Sequence, residues 1–372
     1  MDVRLSPEQK ALRNSAAQLI DALAPRSVAD LDDAERSAKL DAAVESVGWR
    51  ELRTDDGDGQ ALASAVDTAL VAEELARGLA DTSFLGPTLA AELRRLAGTP
   101  AAGSPETVVL VAGLGGLAGL DDGAAVNGGA LQESTAGGQI AVDARGCSSA
   151  LVLTAGEQGG TEPATGQSTD YRLASVALPE PAIHVDLTRA LAVVGDASSV
   201  PVDGQQWPLT AERLTRWSSF ALAMTCADLV GTMYGALNVS CEYAKIRRQY
   251  GTPIGAFQAI QHLLADAFAA AEGSRSVALH AAWAADALPA EEARTAAAVA
   301  KAYCSRAARV VCETAIQVHG GIGNTWECIA HVYLRRALLS SQILGGESAS
   351  VARVMADYGI AGDKIGGGDG FR

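Results

Sequence analysis

Apolar positions recur at two spacings along this chain, and the spacing changes twice. Over the first hundred residues they fall at helical intervals. Leu12, Ala16, Ile20 and Leu23 share one face, and further helices are predicted over 65–79 and 88–96. The first helix has a start signal in Ser6-Pro7-Glu8-Gln9: a capping serine, a proline at the first helical position and a glutamine able to reach back. The acidic, glycine-containing stretch 53–59 reads as a loop. From about 103 to 203 the pattern shortens into β-type runs at 107–111, 151–154 and 171–176, separated by turn clusters. Thr161-Glu162-Pro163 falls in one such cluster and reads as a turn. Helical periodicity then returns over 211–247, 257–288, 290–318 and 328–344, before a tail with Gly366-Gly367-Gly368 that is expected to be mobile. The predicted architecture is mainly α with a central β domain: 1–103 helical, 104–206 a shortened β barrel or sandwich, 207–372 a helical bundle with a flexible tail.

Composition narrows the function classes. Of 372 residues, 48% are hydrophobic, enough for a large core, and the formal charge is −15. That balance argues against nucleic acid or an anionic membrane as partner, since both require a basic surface. A polyanionic ligand would need basic groups gathered locally. The six cysteines form no CxxC pair, which disfavours zinc and disulfide readings and suits reduced thiols in the cytoplasm. The stretch 220–237 is apolar but carries Asp228 and small polar residues, so it reads as a buried core helix. Asp228 would be costly there without a partner, and a hydrogen bond between helices is expected. His262 and His331 read as packed helix residues.

Two clusters carry candidate chemistry. In the first, 243–258, a long helix ends in Arg247-Arg248 and Gln249-Tyr250-Gly251, then turns through Pro253 and Gly255 into a helix beginning near Gln258. Guanidinium forks match phosphate oxygens in pairs, and a helix N-terminus favours anions, so this corner can hold a diphosphate. Taken by charge alone it reads rather as a surface turn with its arginines on a solvated face. The second cluster is Gln317-Val318-His319-Gly320-Gly321-Ile322-Gly323, at the end of a helix. Gly320 and Gly321 permit positive φ and close backbone approach. Taken singly it is an ordinary glycine C-cap, with His319 a structural helix-end residue.

Taken together, these motifs resemble the acyl-CoA dehydrogenase family. Arg247, Tyr250, Gly251, Ile254, Phe257 and Gln258 match its Arg-x-x-aromatic-Gly-x-x-Ile-x-x-aromatic-Gln pattern, and Gln317, Gly320, Gly321 and Gly323 match its later Gln-x-x-Gly-Gly-x-Gly pattern. Thr325-Trp326-Glu327 through Arg335-Arg336-Ala337, Val71 to Gly78 and Val185 to Ala192 are similar to other family segments. The resemblance implies an N-terminal helical domain, a central β domain and a C-terminal four-helix domain. It also implies FAD, with Arg247, Gln249, Tyr250, Gln258, Gln317, Gly320 and Gly321 contacting the ADP half of a cofactor seated mainly on a neighbouring subunit.

The family's catalytic machinery is not matched. Its glutamate base would fall at Leu344 or Gly345, or, in some members, at Ala221, and none of these accepts a proton. Glu347 is the nearby carboxylate, either a displaced base or a residue favoured by a helix dipole. No Thr-Glu-x-x-x-Gly-Ser-Asp run precedes the first strands, and no tryptophan lies between 50 and 206. Among family members the chain resembles a subunit of actinobacterial α2β2 enzymes acting on sterol side-chain CoA thioesters, with one FAD site per unlike pair. The expected partners are a catalytic acyl-CoA dehydrogenase subunit and an electron-transfer flavoprotein as acceptor. Two alternatives stay open: a homotetrameric dehydrogenase using Glu347, and a flavin-free structural or regulatory relative.

Overall fold

The computed structural model describes residues 4–111, 114–117, 138–155, 171–183, 185–195, 199–205 and 207–360. Thr161-Glu162-Pro163 and Gly366-Gly367-Gly368 lie outside them. Four helices open the chain: α1 (Pro7–Leu23), α2 (Ala34–Ser46), α3 (Ala65–Arg77) and α4 (Leu85–Ala97). The capping box at α1 is formed: the Gln9 amide donates to Ser6 Oγ at 3.2 Å, and the Ser6 amide donates to Gln9 Oε1 at 3.1 Å. Helix α2 was not expected from periodicity. It buries only Ser37, Leu40 and Val44, too narrow a stripe to stand out.

The middle of the chain forms β1 (Glu106–Leu110), β2 (Gln139–Ala141), β3 (Ser149–Ala155), β4 (Tyr171–Ala177), β5 (Ala182–Ile183), β6 (Ala190–Val194), β7 (Val200–Pro201) and β8 (Trp207–Leu209). The strand order is β5-β6-β2-β1-β3-β4-β7, with β8 also paired to β4. Alternation along the strands serves two cores. Val108, Leu110, Leu151, Leu153 and Leu173 face the helices, while Val109, Ala150, Val152, Ala174 and Val176 pack in a second, smaller core. One boundary is corrected. Residues 207–209, assigned by sequence to the helical bundle, pair with Tyr171–Leu173 as a strand, so the bundle begins at Ala211.

The bundle comprises α5 (Ala211–Ile246), α6 (Gln258–Ala287), α7 (Ala290–His319), α8 (Ala330–Gln342) and α9 (Glu347–Asp357). Helix α5 is long and apolar enough to cross a membrane, but 94% of its most apolar window is buried inside the protein. It touches α3 closely at two glycines. A Cβ on Gly231 would lie 2.0 Å from the Glu73 carbonyl oxygen, and one on Gly235 would lie 2.3 Å from that of Arg77.

That close seam buries the Glu73 carboxylate as well. It pairs with Arg275 of α6 at 2.9 Å. Burial pushes its pKa up to about 7 against the pull of Arg275 and Arg13, with Glu74 and Glu272 adding to the rise. The folded chain therefore holds a proton that the unfolded chain releases near the ordinary value of 4.5. The stability this group supplies is present below that value and is lost as pH rises through 7. A Glu73→Gln variant should lose less stability between pH 5 and 8 than the wild type, by on the order of 1–3 kcal/mol. Urea midpoints at the two pH values measure this, and superimposable pH profiles would refute it.

A second buried junction joins all three regions. Asp228 of α5 accepts from Arg189 at 2.5 Å, from Arg336 of α8 at 2.7 Å and from the Ser340 hydroxyl at 2.7 Å. Arg336 also donates to the Ala80 carbonyl and to Thr188 Oγ1, and Lys301 of α7 donates to the Ser340 carbonyl at 2.6 Å. Burial pushes Asp228 up, but the two guanidiniums outweigh it and hold the carboxyl down at about 2. Burial lowers Lys301 to about 8. The hydrogen bond expected for Asp228 is thus an ion-paired network reaching beyond the helices into the β domain.

Candidate cofactor site

The arginine corner is a projecting finger. Arg247 ends α5, and Arg248–Gln249 (β9) pairs with Thr252–Pro253 (β10). The two residues between them, Tyr250 and Gly251, have φ of +51° and +81°. Positive φ at both central positions is the geometry of the tightest hairpin turn. Glycine adopts it freely, whereas a tyrosine there is strained, and such strain concentrates at functional loops. Tyr250 is 96% exposed and meets the Phe257 ring edge-on, at 6.4 Å between ring centroids. The finger is closed at its base by the Ile254 amide donating to the Arg247 carbonyl at 2.8 Å.

Behind the finger, α6 starts at Gln258. Its N-terminus has no side-chain cap and no acidic residue in its first turn, so its free N–H groups face outward uncompensated. Gln317 stands on the last turn of α7. Gly320 follows with φ +67° and nothing within 4 Å of a would-be Cβ, and Gly321 is equally open. Only Gly320 uses the positive-φ freedom that the sequence allowed both residues.

The fold brings these segments to one end of the bundle. Ala244, Ile254 and Val318 form a small core with Tyr243, Phe257, Ile260 and Leu264 packed on it, joining the corner to the end of α7. The His319 ring stacks on Tyr243 with centroids 4.4 Å apart. The side chains of Arg247, Gln258 and Gln317 make no hydrogen bond or ion pair among the described residues. Gln249 turns inward locally, its amide donating to the Arg248 carbonyl. Unengaged guanidinium and amide donors beside an uncapped helix start fit an anionic dinucleotide, in a chain that is otherwise strongly acidic.

The positions expected to lack a base are sealed. Ala221 is wholly buried and Leu344 is 4% exposed, its amide donating to the Leu114 carbonyl at 2.7 Å. Gly345, next to Leu344 in the chain, adopts φ +91°. Glu347 is the first residue of α9, points to solvent and lies 3.9 Å from the exposed Arg306. This is the dipole-favoured position of the sequence reading. Sequence reasoning missed the roles of Arg189 and Arg336. The signal was an aspartate on an apolar helix, which demands cations but does not say which.

Comparison with known proteins agrees with this arrangement. Residues 218–358 match the family described as Acyl-CoA dehydrogenase, C-terminal domain. The acyl-CoA dehydrogenase IpdE2 of Mycolicibacterium smegmatis is 30% identical over 359 residues, covering 95% of this chain and 99% of that protein. A stretch of FadE34 of Mycobacterium tuberculosis is 40% identical over 141 residues, 38% of this chain but only 20% of that protein. Among solved structures, a variant of the Tcur3481-Tcur3483 steroid ACAD superposes with a TM-score of 0.73 at 23% identity, over 95% of this chain and 98% of that one. The ChsE4-ChsE5 complex from Mycobacterium tuberculosis superposes with 0.72 at 21%, over 97% and 100%. The fold, the two motifs and a relative matched almost end to end agree: this chain belongs to the acyl-CoA dehydrogenase family.

Proposed function

We propose that this chain is the partner subunit of a heteromeric, FAD-dependent acyl-CoA dehydrogenase. In this reading it donates the ADP-side contacts to a flavin held mainly by an unlike, catalytic subunit. The observation that carries the reading is an asymmetry: an exposed, unengaged donor set at one end of the bundle, and buried aliphatic residues at both base positions. Arg247 would clamp the diphosphate with its fork, helped by the α6 N-terminus. The Gln258 and Gln317 amides and the open backbone at Gly320–Gly321 would orient the rest of the ADP half, and Tyr250 would press the finger against the partner. Bound FAD supplies the hydride acceptor for α,β-desaturation of an acyl-CoA, and the partner supplies the carboxylate that takes the proton. The reading extends to a cytoplasmic α2β2 assembly, a steroid side-chain CoA thioester as substrate and an electron-transfer flavoprotein as acceptor. It is supported by a fold neighbour named as a steroid ACAD and another solved as a two-component complex.

Glu347 gives no support to a self-sufficient enzyme, because it points to solvent and sits opposite Arg306. Expression alone and with a candidate catalytic subunit, followed by flavin counting per chain, decides the matter. The chain alone should purify colourless and inactive, and the complex yellow with one flavin per unlike pair. A lone chain that holds FAD stoichiometrically and oxidises acyl-CoA would overturn the proposal.

A further inference from the structure

We propose that the His319–Tyr243 ring stack is a positioning pair, holding the end of α7 against the end of α5 so that the two halves of the donor set stay in register. This rests on the reading of the corner as a cofactor site. Arg247 hangs from α5, whereas Gln317 and Gly320–Gly321 hang from α7, and no strand or covalent link joins the two helix ends among the described residues. The two helices pack against one another, and at their ends the contact is made by a small apolar core and the stacked rings.

The geometry favours a brace over incidental packing. The rings lie 4.4 Å apart with 26° between their planes, an attractive arrangement for aromatic groups. His319 is buried although it ends a helix, and its Nδ1 lies 2.7 Å from the Ala315 carbonyl one turn back. That carbonyl accepts, so Nδ1 carries the proton and the ring cannot swing freely. The following turn is built on the same residue: a Cβ on Gly323 would lie 2.8 Å from the Ile316 carbonyl oxygen and 3.1 Å from His319 Cβ. On the other side, Gly255 packs against the Ala244 carbonyl, leaving a Cβ there only 3.0 Å of room. Beyond the rings a cleft of about 700 Å³ opens, lined among others by Tyr243, Ile246, His319 and Ile322. With the cleft on that side, the stack is the brace that bounds it.

The test uses the full chain in whichever flavin-loaded assembly it forms. After removal of the flavin, the FAD dissociation constant is titrated for wild type, His319→Ala, Tyr243→Leu, their double variant, His319→Phe and Arg247→Ala, with thermal midpoints recorded alongside. His319→Ala and Tyr243→Leu should each weaken FAD binding roughly tenfold, equivalent to about 1.4 kcal/mol. The double variant should be no worse than either single one, and His319→Phe, which keeps a ring, should restore most of the affinity. A role in stability alone would move the midpoints and leave the dissociation constants in place. Wild-type FAD affinity in His319→Ala or Tyr243→Leu, additive losses in the double variant, or no rescue by phenylalanine would each overturn the positioning role. If Arg247→Ala also binds FAD normally, the corner reading itself falls. If Arg247→Ala weakens FAD while the ring variants do not, only the brace falls.

Discussion

Replacing Asp228 with Ala is expected to destabilise the fold by about 3–5 kcal/mol, the usual consequence of breaking a buried ion pair from one side. Among the described residues, Asp228 is the carboxylate that both Arg189 and Arg336 reach, at 2.5 and 2.7 Å, and both cations are almost fully buried. Removing it leaves two buried guanidiniums without a counter-charge, and the Ser340 hydroxyl without its acceptor, in a medium that solvates charge poorly. Asp228→Asn keeps one oxygen acceptor and should cost less. Because Arg189 precedes β6 while Arg336 lies on α8 and donates to the carbonyl of Ala80, the loss should loosen all three regions at once. Urea unfolding of the isolated chain measures it. A cost below about 1 kcal/mol, the scale of an ordinary hydrogen bond, would show that water or rearrangement compensates the cations, and that the junction is not an interdomain fastening.

Replacing Arg247 with Ala should do the opposite: leave the fold intact and empty the flavin site. Its guanidinium has no partner among the described residues, so the folded chain loses little without it. A charge-assisted contact to phosphate is worth about 1.5–3 kcal/mol, and FAD affinity of the complex should fall roughly 10- to 150-fold. Arg247→Lys keeps the charge but not the planar fork and should recover only part of the loss. Flavin fluorescence titration and a melting curve separate the two quantities. Unchanged affinity would remove the finger from the cofactor site, and a large fall in melting temperature would mean that Arg247 has a structural role instead.

The paired predictions follow from a division of charge within the molecule. One set of arginines, at 189 and 336, is consumed internally by Asp228. Another, at 247 and 248, is left at the surface on a strained hairpin. Charge alone does not distinguish them, since all four are arginines. Burial and partners do.

What the chain determined by itself was local. Capping at Ser6, the long helical periodicities and the β-type runs specified most elements to within a few residues, because 3.6- and 2-residue spacings depend only on neighbours. The segments 243–258 and 317–323 were legible as contiguous motifs, but it was their resemblance to the family, not any periodicity, that implied a cofactor role for them and marked Leu344, Gly345 and Ala221 as the positions of the missing base. What only the tertiary structure decided was long-range: helix α2, whose buried stripe is narrow; the strand at 207–209, whose partner is the distant β4; the cations that answer Asp228; and the meeting of the α5 and α7 ends through His319 and Tyr243. These depend on which surfaces meet across long intervening stretches of chain, and no local pattern encodes that.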